Sequence, residues 1–396
     1  MATLTVKNVG PIREAEFEVK KYTVFIGPQG SGKSTLAKLI AIGGDPSAFK
    51  YEVENDIWSR YSLGSFLTPA SSFSYQSDLY KLSYSAGYEI KLDSEKDNLF
   101  KFLKQKWMDN KRQLLSGTEG KESNIDLNQL WQEAEESELR LSEFLSKLIY
   151  ASSIYVPAER IFISMLSKNL WPIMAQSINI PEQIKSFGNR FEIASHKINE
   201  LSIPFLKIVF QSNAGMKQLV HGSDNSNPIP LLDSASGYQS LIPLILTVED
   251  LRSFVVRRFI IEEPELNLYP TAQKDLIYNL VSGLDPEKTY QDAEWVFTTH
   301  SPYVLSSFNT LMLAYKVGHQ SDENRAKVDA IIPSRHWINP DDFAAYYVDG
   351  GTAESIISDE DYGLIDASRL DNVSDEFADE QEALFTLYRN ALKVRA

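Results

Sequence analysis

The sequence predicts an α/β fold with a mainly parallel core sheet, and three short apolar runs carry this prediction. Residues 22–26, 254–261 and 295–298 are rich in β-branched and aromatic side chains, and a helical pattern follows each run. A continuous apolar run is typical of a strand that is buried on both faces. Strands that alternate with helices indicate parallel pairing, because each helix returns the chain to the same edge of the sheet.

The helices that separate these strands are predicted from the residues at their ends. One helix spans 33–42, between a glycine-rich loop and a Gly-Gly-Asp-Pro stop, and two others span 237–251 and 270–284. A further helix begins at Ser301-Pro302. Serine or proline at the start and glycine after the end are typical helix boundaries.

The beginning of the chain predicts a second, antiparallel sheet. Apolar and polar residues alternate through 4–6 and 17–19, on either side of a Gly-Pro turn at 10–11. The same alternation returns in 80–84 and 88–92. Because alternation with period two is typical of strands with one buried face, we expect an N-terminal antiparallel β subdomain.

Composition divides the chain into segments of a single head, 1–396. Lys, Glu, Gln and Leu with helical spacing dominate from about residue 93, residues 154–157 resemble the end of a strand, and 161–210 is predicted to be mostly helical. The predicted segments are an N-terminal lobe (1–92), a helical insertion or lid (93–225), a second lobe (230–358) and an acidic C-terminal tail (359–396).

The charge and the cysteine count exclude several classes of function. The chain has 39 Lys and Arg against 54 Asp and Glu, which gives a net charge of −15. This balance argues against a protein that coats nucleic acid, although a local basic group at 101–112 leaves DNA binding open. Cysteine is absent, which excludes disulfides, thiolate zinc sites and cysteine nucleophiles. Without an apolar span or a secretory signal, we expect a cytoplasmic protein with no membrane partner.

A glycine-rich loop between the first buried strand and the first helix predicts a nucleotide-binding site. Its residues are Gly27, Pro28, Gln29, Gly30, Ser31, Gly32, Lys33, Ser34 and Thr35, which satisfy G-x-x-x-x-G-K-[ST]. Glycines let backbone N–H groups close around phosphate oxygens, and the helix N-terminus adds positive potential. We expect Lys33 to reach the terminal phosphates as a catalytic residue and Ser34 to bind Mg²⁺.

Two carboxylates follow the apolar run at 259–261. Glu262 and Glu263 stand where side chains at the carboxyl edge of a parallel sheet project into the ligand crevice. We expect Glu262 to hold Mg²⁺ and Glu263 to orient or deprotonate the attacking water. The alternative is an ordinary charged exit from a strand.

His300 follows the last predicted strand and is expected to face the same crevice. The sequence Thr298-Thr299-His300-Ser301-Pro302 places it directly after an apolar run. From there it would contact the γ-phosphate as a third catalytic residue. A polar cap on the strand is the simpler alternative.

Ser236 and Gly237 open an apolar helix, and a helix N-terminus favours an anion. These residues alone fit an ordinary serine N-cap equally well. A role for them depends on the other motifs.

Taken in chain order, the motifs resemble those of ABC-type ATPases of the SMC/RecF/OLD-like group, which are often labelled AAA-family ATPases. In that comparison 27–35 matches the Walker A motif, 236–239 the signature S-G-G-Q, 260–264 the Walker B motif and His300 the switch histidine. The resemblance covers the N-terminal third and 230–310. It implies an ABC-type P-loop NTPase head with a mainly parallel core sheet, an N-terminal antiparallel β subdomain and a helical insertion.

The chain departs from the family pattern at several positions. Glu262 stands where the family commonly has Asp, Gln29 where Asn is usual, and Tyr269 where His often precedes the proline. No clear Q-loop glutamine is present, and Glu159 or Arg160 occupies its place in chain order. By resemblance, one of these two residues would sense the nucleotide.

The resemblance also implies cofactors and partners. ATP and Mg²⁺ would bind between two copies, with Ser236, Gly237 and Gln239 of one copy capping the nucleotide of the other, so a homodimer or higher homo-oligomer is expected. The insertion is too short for long coiled-coil arms at about 1.5 Å per residue. It would therefore form a compact lid or a partner-docking surface.

Four functions remain open at this point. The first is an ATP-hydrolysing switch that controls a nuclease or toxin-like effector, as in Septu-like or PARIS-like anti-phage systems. The second is a RecF/SMC-like DNA repair ATPase, and the third is a nucleotide-locked scaffold with little turnover. The fourth, an intrinsic Toprim-type nuclease, is disfavoured because 348–354 has only a superficial V-E-G likeness and no D-x-D follows.

Overall fold

The computed structural model describes most of the two predicted lobes. The described residues are 2–44, 56–77, 81–85, 91–93, 153–166, 180–213, 218–224, 227–252, 257–285, 293–358, 363–366, 380–382 and 384. Residues 94–152 and 167–179 of the predicted helical insertion (93–225), the basic group at 101–112 and most of the acidic tail lie outside these residues. No helix in the described part of the chain is long and apolar enough to cross a membrane.

A six-stranded sheet forms the centre of the fold, and it confirms the predicted mainly parallel core. From one edge to the other its strands are β15 (Thr352–Ser355), β14 (Phe343–Asp349), β3 (Tyr22–Ile26), β13 (Ala293–Thr299), β12 (Arg257–Glu262) and β7 (Ser153–Val156). Strands β14 through β7 pair in parallel, and only β15 is antiparallel. The segment with a superficial Toprim likeness is therefore the β14–β15 hairpin of this sheet.

Side chains from this sheet enter two separate cores. Val24 and Ile261 point into one core, whereas their neighbours Phe25 and Ile260 point into the other, and all four are fully buried. This burial on both faces explains why the strands have continuous apolar sequences. It also fixes their register, since a shift by one residue would exchange the two faces.

The N-terminal antiparallel subdomain covers one face of the central sheet, as predicted. Its strands, in spatial order, are β2 (Ile12–Val19), β1 (Ala2–Val9), β4 (Leu67–Ser77), β5 (Lys81–Ser85) and β6 (Lys91–Asp93). Helices α1 (Lys33–Gly43) and α2 (Asp56–Arg60) contribute to the same core.

Helices and a small antiparallel sheet cover the other face. The helices are α3 (Ile161–Leu166), α4 (Glu182–Lys197), α5 (Ser236–Leu251), α6 (Pro270–Ser282) and α7 (Pro302–Gly318). Helix α8 (Asp322–Asp329) follows α7 and has no buried residue. The small sheet contains β8 (Glu200–Ile203), β9 (Ile208–Ser212), β10 (Gln218–Gly222) and β11 (Ile229–Pro230), and β16 (Ile357–Ser358) pairs with β17 (Leu364–Ile365).

The prediction that 161–210 is mostly helical is correct for α3 and α4 and wrong for 200–210, where β8 and the first part of β9 lie. The error has a physical cause: β8 and β9 have only four and five residues, so their alternating pattern is too short to recognise. The predicted strand end at 154–157 is confirmed as β7, which joins the central sheet.

A buried histidine in the segment after α8 lies within hydrogen-bond distance of the last turn of α6. His336 is only 6% exposed, and its Nδ1 lies 2.8 Å from the Ser282 hydroxyl and 3.1 Å from the Tyr278 carbonyl oxygen. Burial lowers the pKa of His336, and the neighbouring Arg335 guanidinium lowers it further. The folded state therefore favours the neutral ring.

We expect His336 to make the fold less stable as the pH falls. Because its pKa is lower in the folded than in the unfolded chain, its contribution is complete above about pH 6.5 and is lost on further acidification. Urea unfolding at pH 7.5 and 5.5 should show a smaller loss of stability for His336→Gln than for the wild type. The exposed His196→Gln is the control, and equal pH dependence in all three proteins would contradict the prediction.

Candidate functional site

The glycine-rich loop lies between β3 and α1, and its glycines are required by both backbone and space. Gly27, Gly30 and Gly32 have φ values of 151°, 76° and 111°, which other residues rarely adopt. A Cβ on Gly27 would lie 2.1 Å from the Val348 carbonyl oxygen, and one on Gly32 would lie 2.4 Å from the Ile12 side chain. The loop is thus held between two neighbouring segments.

Those two segments are hydrogen-bonded to each other. Arg13 and Glu14, just after the β1–β2 turn, donate backbone N–H groups to the Gly351 carbonyl oxygen at 2.9 and 3.1 Å. The Arg13 guanidinium also donates to the Gly350 carbonyl oxygen. The β1–β2 turn and the β14–β15 hairpin therefore form a collar around the loop.

Lys33 holds a positive charge inside the loop. Its side chain is 5% exposed, and Nζ donates to the carbonyl oxygens of Gly27 at 2.9 Å and Pro28 at 2.8 Å. Burial lowers the pKa of Lys33, while the charges of Glu263 and Glu265 act in the opposite direction. The Lys33 amine thus lies at the place where the motif requires a cation.

The remaining loop residues are divided between open and buried positions. Gln29 and Ser34 are exposed, Thr35 is buried, and the Ser31 hydroxyl is buried without a hydrogen-bond partner among the described residues. Exposed groups at the mouth of the loop and an unpartnered polar atom within it fit a ligand with many acceptors, such as a polyphosphate.

Glu263 adopts an unusual backbone conformation directly after β12. Its φ is 43°, in the left-handed region, and its N–H donates to the Thr298 carbonyl oxygen at 2.8 Å. A non-glycine residue in this region costs about 1–3 kcal/mol and persists only where the surroundings impose it. The carboxylate remains about one-third exposed and lies 3.6 Å from His300 Nε2.

His300 and Glu265 complete the polar group at the strand ends. Burial and the Lys33 charge lower the pKa of His300, so its ring is neutral at pH 7. Glu265 Oε1 accepts from the Thr299 hydroxyl at 2.7 Å and from the His300 N–H at 3.0 Å. Burial raises the pKa of Glu265. The predicted proximity of Lys33, Glu263 and His300 is thus present in the structure.

The predicted magnesium ligands fit a hard cation. Glu262 is 5% exposed, and its Oε1 has no hydrogen-bond partner among the described residues. The Ser34 hydroxyl is exposed at the start of α1. Burial and the charge of Glu262 raise the pKa of Tyr155 well above 10, so this neighbour stays neutral. A buried, unpartnered carboxylate oxygen is a group that Mg²⁺ would satisfy.

Arg160, one of the two residues predicted to sense the nucleotide, is hydrogen-bonded to backbone carbonyl groups. Its side chain is fully buried, and Glu159 is on the exposed surface. The guanidinium donates to the carbonyl oxygens of Pro157 (3.3 Å), Ser240 (3.1 Å), Glu262 (2.8 Å), Glu263 (2.7 Å) and Pro264 (3.3 Å). Burial lowers the pKa of Arg160 to about 10, which leaves it charged at neutral pH. Its partners are therefore backbone groups of its own chain.

Residues 236–239 form the first turn of α5, and the serine N-cap interpretation is wrong because Ala235 is the N-cap. Ser236 is exposed, and a Cβ on Gly237 would lie 2.8 Å from the Asn267 carbonyl oxygen. The Gln239 amide donates to the carbonyl oxygens of Leu232 and Ser234, both at 2.8 Å. Among the described residues, no hydrogen bond joins this turn to the glycine-rich loop of residues 27–35, which we call the phosphate loop. The contact of the turn with a nucleotide therefore stays a prediction.

Comparison with known proteins identifies the family of this chain. The sequence profile of the AAA ATPase domain family matches residues 1–305. No curated protein sequence matches the chain.

Two solved structures are similar to the chain at low identity. The SMC head domain from Thermotoga maritima has 10% identity and a TM-score of 0.39, covering 89% of this chain and 97% of that one. The Smc head domain with an extended coiled coil bound to the C-terminal domain of ScpA, derived from Pyrococcus furiosus, has 10% identity and a TM-score of 0.36, covering 90% and 96%.

We expect Gly27→Ala to weaken nucleotide binding by at least about tenfold, or roughly 1.4 kcal/mol. The new methyl group would collide with the Val348 carbonyl oxygen and would require an unfavourable φ, so the loop must shift. Titration with a fluorescent ATP analogue measures the effect. Gly64→Ala is the control, because nothing lies within 4 Å of a Cβ there. Wild-type affinity in Gly27→Ala would show that the loop has another role.

Proposed function

We propose that this chain, which belongs to the AAA ATPase domain family, is a molecular switch that binds and hydrolyses ATP. The observation that carries the proposal is the meeting of Lys33, Glu263 and His300 beside one phosphate loop. A cation, a carboxylate and a neutral imidazole in this arrangement suit phosphoryl transfer to water.

In this proposal the phosphate loop binds ATP and Mg²⁺. Backbone N–H groups of Gly27, Gly30 and Gly32 and the start of α1 would surround the phosphate oxygens, with Lys33 as the charged partner. Ser34 and Glu262 would hold Mg²⁺, which neutralises charge on the β- and γ-phosphates when it is bound.

Glu263 would act on the attacking water. Its carboxylate accepts a proton as the water oxygen forms a bond to the γ-phosphorus, while the bond from phosphorus to the ADP oxygen breaks. His300, neutral and 3.6 Å from Glu263, is placed to hold the water or a γ-phosphate oxygen by a hydrogen bond. The Lys33 charge would stabilise the negative charge on the transferred group.

We further propose that two copies enclose the nucleotide. The exposed Ser236, with Gly237 and Gln239 in the same helical turn, would cap ATP bound to the other copy. Tyr269, which is 76% exposed and precedes α6, would lie at the edge of this contact. Support comes from the helix N-terminus, which favours an anion, and from the lack of a described hydrogen bond to the chain's own loop.

Control of a separate nuclease or toxin-like effector, in anti-phage defence, is the role we propose for the switch. It rests on the resemblance of the motifs to the ATPase subunits of such systems and on an acidic balance that disfavours nucleic acid as the main partner.

Two substitutions are expected to separate binding from hydrolysis. Lys33→Ala should weaken ATP binding by at least about tenfold, because the loop loses its charged hydrogen-bond donor. Glu263→Gln should keep wild-type affinity but lower kcat by about 100-fold or more, because the amide cannot accept the proton. Lys38→Ala on the same helix and Glu192→Gln, at an exposed position of α4, are the controls, assayed by phosphate release and ATP titration. Equal turnover by Glu263→Gln and the wild type would remove Glu263 from catalysis.

The Glu263→Gln protein is also expected to accumulate as an ATP-bound dimer. Light scattering after gel filtration should show twice the monomer mass with ATP and Mg²⁺, and the monomer mass with ADP. Material isolated from the native cells with ATP should contain a nuclease or toxin-like protein. Isolation of DNA alone with the dimer would support a repair ATPase. An ATP-bound dimer without any partner would support a nucleotide-locked scaffold.

A further inference from the structure

We infer that Arg160 is a positioning residue that sets the backbone of Glu263 and couples it to the first turn of α5. This inference rests on the proposed function, in which Glu263 acts on water and α5 begins with the nucleotide-capping turn. Arg160 touches neither nucleotide nor water in this proposal, because it is fully buried.

On one side, Arg160 holds three consecutive carbonyl groups. Its N–H groups donate to Glu262 (2.8 Å), Glu263 (2.7 Å) and Pro264 (3.3 Å). Three successive carbonyls can meet one guanidinium only if the chain turns sharply, and the left-handed φ of Glu263 makes that turn. Charged hydrogen bonds to these carbonyls offset the cost of the strained conformation.

On the other side, Arg160 and Ser164 bind carbonyls at the start of α5. Pro243 lies inside this helix and has no N–H, so the Gln239 carbonyl loses its usual helical donor. The Ser164 hydroxyl donates to that carbonyl at 3.0 Å, and Arg160 Nε donates to the Ser240 carbonyl at 3.1 Å. The proline thus frees the Gln239 carbonyl, which Ser164 satisfies. Arg160 bonds the carbonyl of the next residue, Ser240.

The two sides together form a single link through one rigid side chain. A guanidinium is planar and presents its donors in a fixed fork, so a shift of the Ser240 carbonyl would change the hydrogen bonds to residues 262–264. The first turn of α5 also carries Ser236 and Gly237. Binding of a nucleotide to that turn would therefore alter, through Arg160, the backbone that orients the Glu263 carboxylate.

The chain offers a matched control for the loss of a buried arginine. Arg252 is 4% exposed, donates to the carbonyl oxygens of Asn279 and Leu280, and stacks on Trp295 with 5.1 Å to the ring centre. It also forms an ion pair with Glu249 in the last turn of α5, with 3.5 Å between Nε and Oε1. These partners lie in α5, α6 and β13, and none of them belongs to the proposed catalytic group. Arg252→Met should therefore affect stability alone.

The kinetic test compares Arg160→Met, Arg160→Lys and Arg252→Met in the full chain. We expect Arg160→Met to lower kcat by about 100-fold, since a small displacement of a catalytic group has that effect. The KM for ATP should stay within about a factor of two. Arg160→Lys keeps the positive charge but loses the planar fork of donors, so its kcat should lie between those of the wild type and Arg160→Met. Arg252→Met should keep the wild-type kcat per folded molecule.

Hydrogen exchange supplies a readout that does not depend on turnover. The Glu263 N–H, which donates to Thr298, and the amides at the start of α5 should exchange faster in Arg160→Met than in the wild type. In Arg252→Met, the exchange rates of these amides should equal those of the wild type. If Arg160→Met does not fold, Ser164→Ala and Arg160→Lys replace it. Ser164→Ala leaves the hydrogen bonds to 262–264 in place, so faster exchange at Glu263 in this variant would demonstrate coupling across Arg160.

Two results would overturn the inference. One is unchanged kcat and unchanged exchange at Glu263 in folded Arg160 variants. The other is a loss confined to KM or to ATP affinity, which would make Arg160 a nucleotide-binding determinant. If the wild type hydrolyses no ATP, the proposed function fails, while the exchange data still decide whether Arg160 couples the two segments.

Discussion

Parallel pairing of β3, β13 and β12 is the constraint on which the site depends. Parallel strands end at one edge of a sheet, and adjacent strands lie about 4.8 Å apart. Ile26 pairs with Thr299, and Thr298 pairs with Glu262. The residues that follow are the phosphate loop, His300 and Glu263, so three groups from distant parts of the sequence meet without long side chains having to reach one another.

The same pairing explains which parts of the site could be predicted from the sequence. The phosphate loop and the carboxylates follow buried apolar strands directly, so a local pattern indicates both the residues and the edge where they meet. The contacts of Arg160 could not be predicted, because apart from Pro157 its acceptors lie between 80 and 104 residues away. Nor does a local pattern reveal that Pro243 frees a carbonyl for Ser164, because that contact exists only after α3 and α5 pack.

Two basic side chains are buried at the site of this acidic chain. Lys33 and Arg160 are buried among Glu262, Glu263 and Glu265, and these carboxylates favour the charged forms of both bases. Burial acts in the opposite direction on each base. The acidic total of −15 therefore coexists with two buried cations beside the loop, and the local arrangement governs anion binding.

The collar around the phosphate loop has a consequence for biosynthesis. Arg13 and Gly350 are 337 positions apart, and β14 pairs with β3 across a similar separation. Contacts between such remote positions form slowly because a long loop must close first. A ribosome must also release the chain past Gly351 before the collar can form. The nascent protein therefore lacks the complete collar around the phosphate loop before that point, and ATP would stabilise only a chain in which the collar has formed.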